Sequence, residues 1–500
     1  MIPRWLRRLF SSEPVDEPRP IAAKPVAVAA KRPEPRAVAA TGEANRAPRE
    51  VPQTSRFAAF KAPARTDGYI VQVGLDLGTA YMKAVCRDLV KDSAWVYEPP
   101  VVSASPPCLV PTTVAVRDGR LSRTAGQQLP SVKMALRACA MGDWGNPVLM
   151  PFRDALGSGD NGVLFHFVEV CAAYAIADML SGVRGAVRKR LRGFGDREDD
   201  HLAVNMAIPV ADAQLETVNA AFLTVLRAGW RLSLSHVYGQ DHDAEDLLRR
   251  VDAARTDAGE DDACFVYPEV SANVQGFVRS RVSRPDVYLF SDVGAGTVDQ
   301  SVFIYHRDRA GADSLVYLDA AVLPLGSAEI ELRASSRSGR PGATALEEFR
   351  RKKELGAADP VLDGVKKELA TELALSTKRT MQLAKRKLFR PDQLNKTRVI
   401  FGGGGHTENP YGRGTLSVFR SEIFANGFTP DTLGMPMPTD LDLAPAKAAW
   451  MPRLSVAYGL SFDRHQLVPF TYPMDLDSPT PLDTWAPPKK KGHAPTKDEV

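Results

Sequence analysis

Val73-Gly74-Leu75-Asp76-Leu77-Gly78-Thr79-Ala80-Tyr81-Met82-Lys83 begins as an apolar strand and ends in a Gly-Thr turn. Each part of that turn has a chemical use. Gly78 permits a tight reversal, the amides after it can point at a phosphate, and Asp76 can hold the water shell of a magnesium ion. A second stretch repeats the idea. In Phe290-Ser291-Asp292-Val293-Gly294-Ala295-Gly296-Thr297-Val298-Asp299 a strand again runs into Asp, Gly, Gly and Thr. The two copies lie far apart in the chain, as expected if each half of the molecule brings one loop to opposite sides of a triphosphate, with Mg²⁺ and preorganised amides offsetting its charge.

Around these turns, strand-like patterns at Tyr69 to Leu75, Leu202 to Ile208, Val287 to Phe290, Ser301 to Tyr305 and Arg398 to Phe401 alternate with helical ones, which predicts α/β lobes. Ala345 to Leu388 is long, charged and Leu/Ala-rich with Lys and Arg near its end, a helical subdomain rather than sheet. Val163 to Val183 is apolar but carries His166, Glu169 and Asp178, and it reads as a buried helix rather than a membrane span. The chain of 500 residues with 44% hydrophobic content is large enough to enclose a cleft.

Its formal net charge of +4 is uneven, because residues 1–67 hold 13 Lys/Arg against 7 Asp/Glu, which leaves about −2 for the rest. No nucleic-acid surface is expected on so nearly neutral a folded part. Residues 13–67 are dominated by Ala, Pro and Arg and read as a disordered linker. Ahead of them, Ile2, Trp5, Leu6, Leu9 and Phe10 can share a helical face ringed by Arg4, Arg7 and Arg8, either a peripheral membrane or partner tether or the plain start of a tail. The odd, scattered cysteines Cys86, Cys108, Cys139, Cys171 and Cys264 argue for a reducing, cytoplasmic home, at the inner face of the membrane if residues 2–10 tether the chain.

Three signals are discounted. Gly157-Ser158-Gly159-Asp160-Asn161-Gly162 fits GxGxxG but follows no strand, no GxxxxGK[ST] occurs, and His236 and His242 lack further ligands at metal-binding spacing.

The paired turns resemble the first and second phosphate loops of the actin and seventy-kilodalton heat-shock chaperone superfamily, and further segments come in that family's order. Asn205 to Val210 with Gln214 and Ala228-Gly229 resembles the chaperones' strand, Pro turn and helix. Tyr267-Pro268-Glu269-Val270-Ser271-Ala272-Asn273 resembles their first connecting helix, Leu325-Gly326-Ser327 their Leu-Gly-Gly turn, and Ser455 to Gly459 their closing helix. Ala384-Lys385-Arg386-Lys387-Leu388 resembles the helix that lays basic side chains beside adenine and ribose. Ile400-Phe401-Gly402-Gly403-Gly404-Gly405 resembles the adenosine loop.

The resemblance implies a two-lobed actin-like ATPase fold of duplicated ribonuclease-H-like domains, with lobe I at 68–285 and lobe II at 286–470. Lobe I would carry a smaller subdomain at about 106–160 and an acidic insertion at 234–264. Lobe II would carry a helical subdomain at about 334–395, and 471–500 a flexible tail. It further implies ATP and Mg²⁺ as cofactors. Asp76 and Asp292 would hold magnesium through water. Gly78, Thr79, Lys83, Gly294, Gly296, Thr297, Lys385, Arg386 and Gly402 to Gly405 would hold the nucleotide. Glu269 would place the attacking water, with Asp299 assisting. The expected activity is slow ATP hydrolysis in a chaperone-like switch that works with a protein partner; the alternative is an actin-like scaffold, cytoskeletal or membrane-tethered, that assembles with ATP.

The chain also departs from the pattern. Ala295 replaces a usual glycine, the chaperones' catalytic lysine has two counterparts in Lys133 and Arg137, and Lys83 matches actin's phosphate-binding lysine instead. Phe389 stands where a serine lies beside adenine. The acidic insertion reads as a recognition surface or, more plainly, as a solvated loop and helix. The stretch after Gly459 is too short for a peptide-binding β-sandwich with its lid, so extended hydrophobic peptides are not expected to be held in the family's usual way.

Overall fold

In the computed structural model, which describes residues 67–476 apart from 101–106, 257–262, 340–342, 407–408 and 425, the first turn motif follows the strand Ile70–Leu77, buried at every position but Ile70. The basic segment 2–10, the linker as far as residue 66, Glu260, Asp261 and Asp262, and the tail from 477 lie outside the described residues. Such a run, apolar without alternation, suits a strand covered on both faces. It pairs antiparallel with Tyr81–Asp88, which pairs antiparallel with Ser93–Val96; on its other side it pairs parallel with His201–Ile208, and that strand with Cys264–Pro268.

A second sheet repeats this pattern strand for strand. Asp286–Val293 pairs antiparallel with Val298–Arg307 and this with Asp313–Leu323, while on the other side it pairs parallel with Arg398–Gly402 and this with Thr432–Leu433. The hairpin registers coincide as well. Leu77 faces Met82 and Val293 faces Val298 across loops of equal length, so Asp76 stands opposite Lys83 and Asp292 opposite Asp299. The protein is therefore a mixed α/β structure built on two equivalent five-strand cores.

Side chains alternate across each sheet, as the pleat requires. Val287 and Leu289 pack with Met381, Ala384 and Leu388 of the helix Pro360–Lys387, whereas Tyr288 and Phe290 pack with Val270, Val274 and Phe277. In the first sheet Val73 and Leu75 join the long helix Asn161–Arg190, and Val85 and Ala207 on the other face join the helix Met451–Leu460. Met451–Leu460 and the short helix Glu269–Asn273 thus lie between the two sheets and touch each other. Their contact is backbone to backbone. A Cβ on Gly459 would sit 1.7 Å from the Ala272 carbonyl oxygen, and one on Gly74 would sit 2.0 Å from that of Ala457.

The helix Pro360–Lys387 starts where expected from its chemistry: the Asp359 side chain accepts from the amides of Val361 and Leu362, and Pro360 occupies the first turn. Among the described residues Asn161–Arg190 is the one helix long and apolar enough to cross a membrane, and it is mostly buried inside the protein. Gly157 to Asp160 is a turn between two helices, in which Asp160 caps the second by accepting from the Val163 amide.

The acidic insertion contains the helix expected, but that helix is not simply solvated. His242–Asp243 adds an edge strand to a small sheet with Arg120–Ser122, and the helix Ala244–Thr256 buries Ala244, Leu247, Val251 and Ala254 in the first core. Its acids are engaged locally, Asp246 with Arg250 and His242. The apolar i, i+3, i+7 spacing, masked by the surrounding charge, explains the difference.

Candidate functional site

Both hairpin turns end at one place. A Cβ on Gly296 would lie 2.8 Å from the Thr79 methyl, so the loops of the two sheets meet there. The second loop is braced from behind: the amides of Gly326, Ser327 and Ala328 donate to the carbonyls of Gly296, Gly294 and Ala295. That turn is itself held by Lys353, whose ammonium bonds the Ser327 carbonyl at 2.9 Å and Glu331 at 2.6 Å.

Four carboxylates converge around the loops. Asp76 is buried and ion-paired with Lys83 across the hairpin. Glu269, at the start of its helix, accepts from Lys133 at 2.9 Å. Asp292 accepts from the Asn273 amide at 2.6 Å, and Asp299 accepts from the Thr297 hydroxyl at 3.0 Å. The helix Val132–Ala140 also resolves its two candidate cations. Lys133 enters the cluster, whereas Arg137, one turn on, is committed to Asp212 through two bonds of 2.6 and 2.9 Å.

The electrostatics are those of a buried, acid-rich cluster. Burial raises the pKa of Asp292, and the carboxylates of Glu269, Asp299 and Asp76 raise it further against the opposing charge of Lys83. For Asp299, burial and Glu269 outweigh Lys133 and the Thr297 hydroxyl and push it up to about 7. Burial works against the Lys133 ammonium, but Glu269, Asp76 and Asp299 hold it above its ordinary range. With all groups ionised, four carboxylates face two ammonium groups, an excess that a divalent cation would match. Three buried oxygens in this group make no hydrogen bond: Oδ1 of Asp76, Oδ1 of Asp299 and Oδ1 of Asn273. They are acceptors without donors, which fits the waters of a hydrated cation better than a closed polar core. Among the described residues no three acid, His or Cys side chains are grouped to ligate a metal directly.

Gly402 joins the site as the register neighbour of Asp292. Gly403 has φ +75°, and a Cβ there would sit 2.3 Å from Asp292 Oδ1, so both conformation and space require glycine. Its amide donates to the Pro452 carbonyl, and the Gly405 amide to that of Val293. Gly404 lies under the Arg453 side chain. Lys385 and Arg386 stand apart from this constellation. Lys385 donates to the Ile423 carbonyl at 2.6 Å and Arg386 is exposed; neither shares a hydrogen bond or ion pair with the four acids. Phe389 is largely exposed.

His236 and His242 lie elsewhere, against Asp178 and Asp246. Two residues of the site, Asn273 and Arg453, were not singled out by sequence reasoning. For Asn273 a signal existed, since four positions after Glu269 on a helix is the same face. For Arg453 there was none. Neither family models nor curated proteins yield a match to this chain.

Proposed function

We propose that this protein is an ATP-binding, slowly ATP-hydrolysing conformational switch with the two-lobed, duplicated ribonuclease-H-like architecture of the actin and heat-shock chaperone superfamily, acting with a protein partner from the cytoplasm. The observation that carries this reading is the duplicated hairpin, which sets Asp76 and Asp292 at equivalent positions and brings their Gly-Thr loops into contact. A triphosphate between two such loops meets backbone amides and hydroxyls from both sides.

Thr79, Gly296 and Thr297 would bind phosphate oxygens, and Lys83, which pairs with Asp76, would turn its ammonium toward them. Asp76 and Asp292 would orient the waters of a magnesium ion. When bound, that ion supplies neutralisation of the phosphate charge and polarisation of the terminal phosphoryl group. Glu269 would take the proton of a water attacking the terminal phosphorus as the bridging P–O bond breaks. Lys133 holds Glu269 in place for that task. Since the two sheets contribute opposite walls, bound nucleotide favours their approach and its cleavage loosens them, a difference a partner can read. The scaffold alternative leans on Lys83, which pairs with Asp76, and on residues 2–10, which lie outside the described residues.

Isothermal titration with ATP, with and without Mg²⁺, tests the reading, together with phosphate release by Glu269→Gln. Magnesium-enhanced ATP binding is expected, with binding kept in the variant and turnover lowered roughly 10²-fold or more. No ATP binding under either condition would sink the proposal.

A further inference from the structure

Asn273 is fully buried on the helix that also carries Glu269, one turn earlier. Its amide nitrogen donates to Asp292 Oδ2 at 2.6 Å. An ionised Asp292, the state a bound cation favours, only accepts, so it faces the NH₂ end of the amide. The carbonyl end, Oδ1, is therefore directed away from Asp292, and it is buried and makes no hydrogen bond. An asparagine retained only for packing would satisfy both ends, since a buried oxygen left without a donor is costly. Oδ1 of Asp76 and Oδ1 of Asp299 in the same cluster are also buried and undonated, as is the amide oxygen of Gln300, the residue after Asp299. Gly402 makes room for this side chain: a Cβ at Gly402 would fall 3.0 Å from Asn273 Nδ2.

We propose that Asn273 is a positioning residue of this site, which fixes the Asp292 carboxylate through its amide nitrogen and presents its amide oxygen as an additional acceptor for the water shell of the divalent cation. The inference rests on the functional reading above and adds to it a polar tie between the cation's surroundings and the helix of Glu269. One short helix then serves two ends of the site, Glu269 toward Lys133 and Asn273 toward Asp292. Any shift of that helix moves the water-placing carboxylate and the cation-facing carboxylate together.

The test is calorimetric and needs no turnover. Full-length wild type, Asn273→Ala and Asn273→Asp are titrated with ATP in EDTA and then with Mg²⁺ at fixed ATP. For Asn273→Ala, metal-free ATP affinity should stay within about twofold of wild type while the Mg²⁺ concentration for half-saturation rises roughly 10–100-fold, the range for losing a supporting group around a metal. Asn273→Asp keeps the acceptor but loses the donor and adds a carboxylate. It should need less Mg²⁺ than Asn273→Ala and should melt lower than wild type in EDTA. An unchanged Mg²⁺ requirement in Asn273→Ala overturns the inference, as does equal weakening with and without metal, which would mark a packing role. Should the alanine variant not fold, a wild-type Mg²⁺ requirement and wild-type melting in Asn273→Asp would overturn it alone. Wild type that binds ATP without regard to Mg²⁺ would overturn the functional reading itself, and this inference with it.

Discussion

Asp299 shows how one residue carries the electrostatics of the site. Its folded pKa is raised from 3.8 to about 7, mainly by burial and then by Glu269. Between those values the folded protein holds a proton that the unfolded chain has released, so stability falls as pH rises through this window and levels off above it. At about 1.4 kcal/mol for each pH unit within the window, one such group is worth up to roughly 3 kcal/mol between about pH 5 and pH 8. Asp292 acts in the same direction. Metal-free protein should therefore melt higher at pH 5 than at pH 8 as far as these two groups govern it, and Asp299→Asn should flatten the slope. A variant with the slope of wild type would show that Asp299 does not titrate there. At this scale the sequence disclosed a good deal, since Asp76 and Asp292 were legible from apolar strands running into Gly-Thr turns, and Glu269 and Asp299 from the family resemblance. Which of Lys133 and Arg137 enters the site was not legible, because both lie on the same face of one helix and only their partners, Glu269 and Asp212, separate them.

Elements meet most tightly where Met451–Leu460 crosses Glu269–Asn273. With a Cβ on Gly459 placed 1.7 Å from the Ala272 oxygen, no rotamer relieves the clash and backbone must move. Gly459→Ala should cost at least about 1–3 kcal/mol in denaturant unfolding, the usual range for overpacking. It should also displace Glu269, because the contact lies on that residue's helix. Wild-type stability in this variant would mean that the helices are not so closely apposed. The pairing of Gly459 with Ala272 could not be read from either segment alone. Each helix shows its own apolar face, but nothing local states which other helix it crosses. That the helix of the acidic insertion docks on the first core was hidden for a related reason, as its small apolar stripe has meaning only beside the core that receives it.

For the whole molecule, none of the five cysteines forms a disulfide and all are buried. Burial pushes the thiols of Cys108, Cys86 and Cys139 up to about 11, 12 and 12, so native protein should react with a thiol reagent far more slowly than unfolded protein. Rapid modification of the native chain would mean that a core opens readily. Widely spaced cysteines suggested that none is paired, but their burial comes from packing on the first sheet, Cys86, Cys139, Cys171 and Cys264 in one core and Cys108 in the core on the other face.

The sequence by itself determined the local chemistry: two Asp-Gly-Thr turns after apolar strands, the alternation of strand and helix, a buried helix over 163–183, and helical character over 345–388, which the structure divides into Ala343–Glu354 and Pro360–Lys387. These are short-range consequences of turn conformation, side-chain period and capping. Only the tertiary structure decided that the five-strand pattern occurs twice in matching register. It alone brought the turns together at Gly296 and Thr79, drew Lys133 rather than Arg137 among the acids, and left Lys385 with a carbonyl elsewhere. Those outcomes depend on contacts between segments far apart in the chain, where side-chain pattern fixes which face is buried but not what is buried against it.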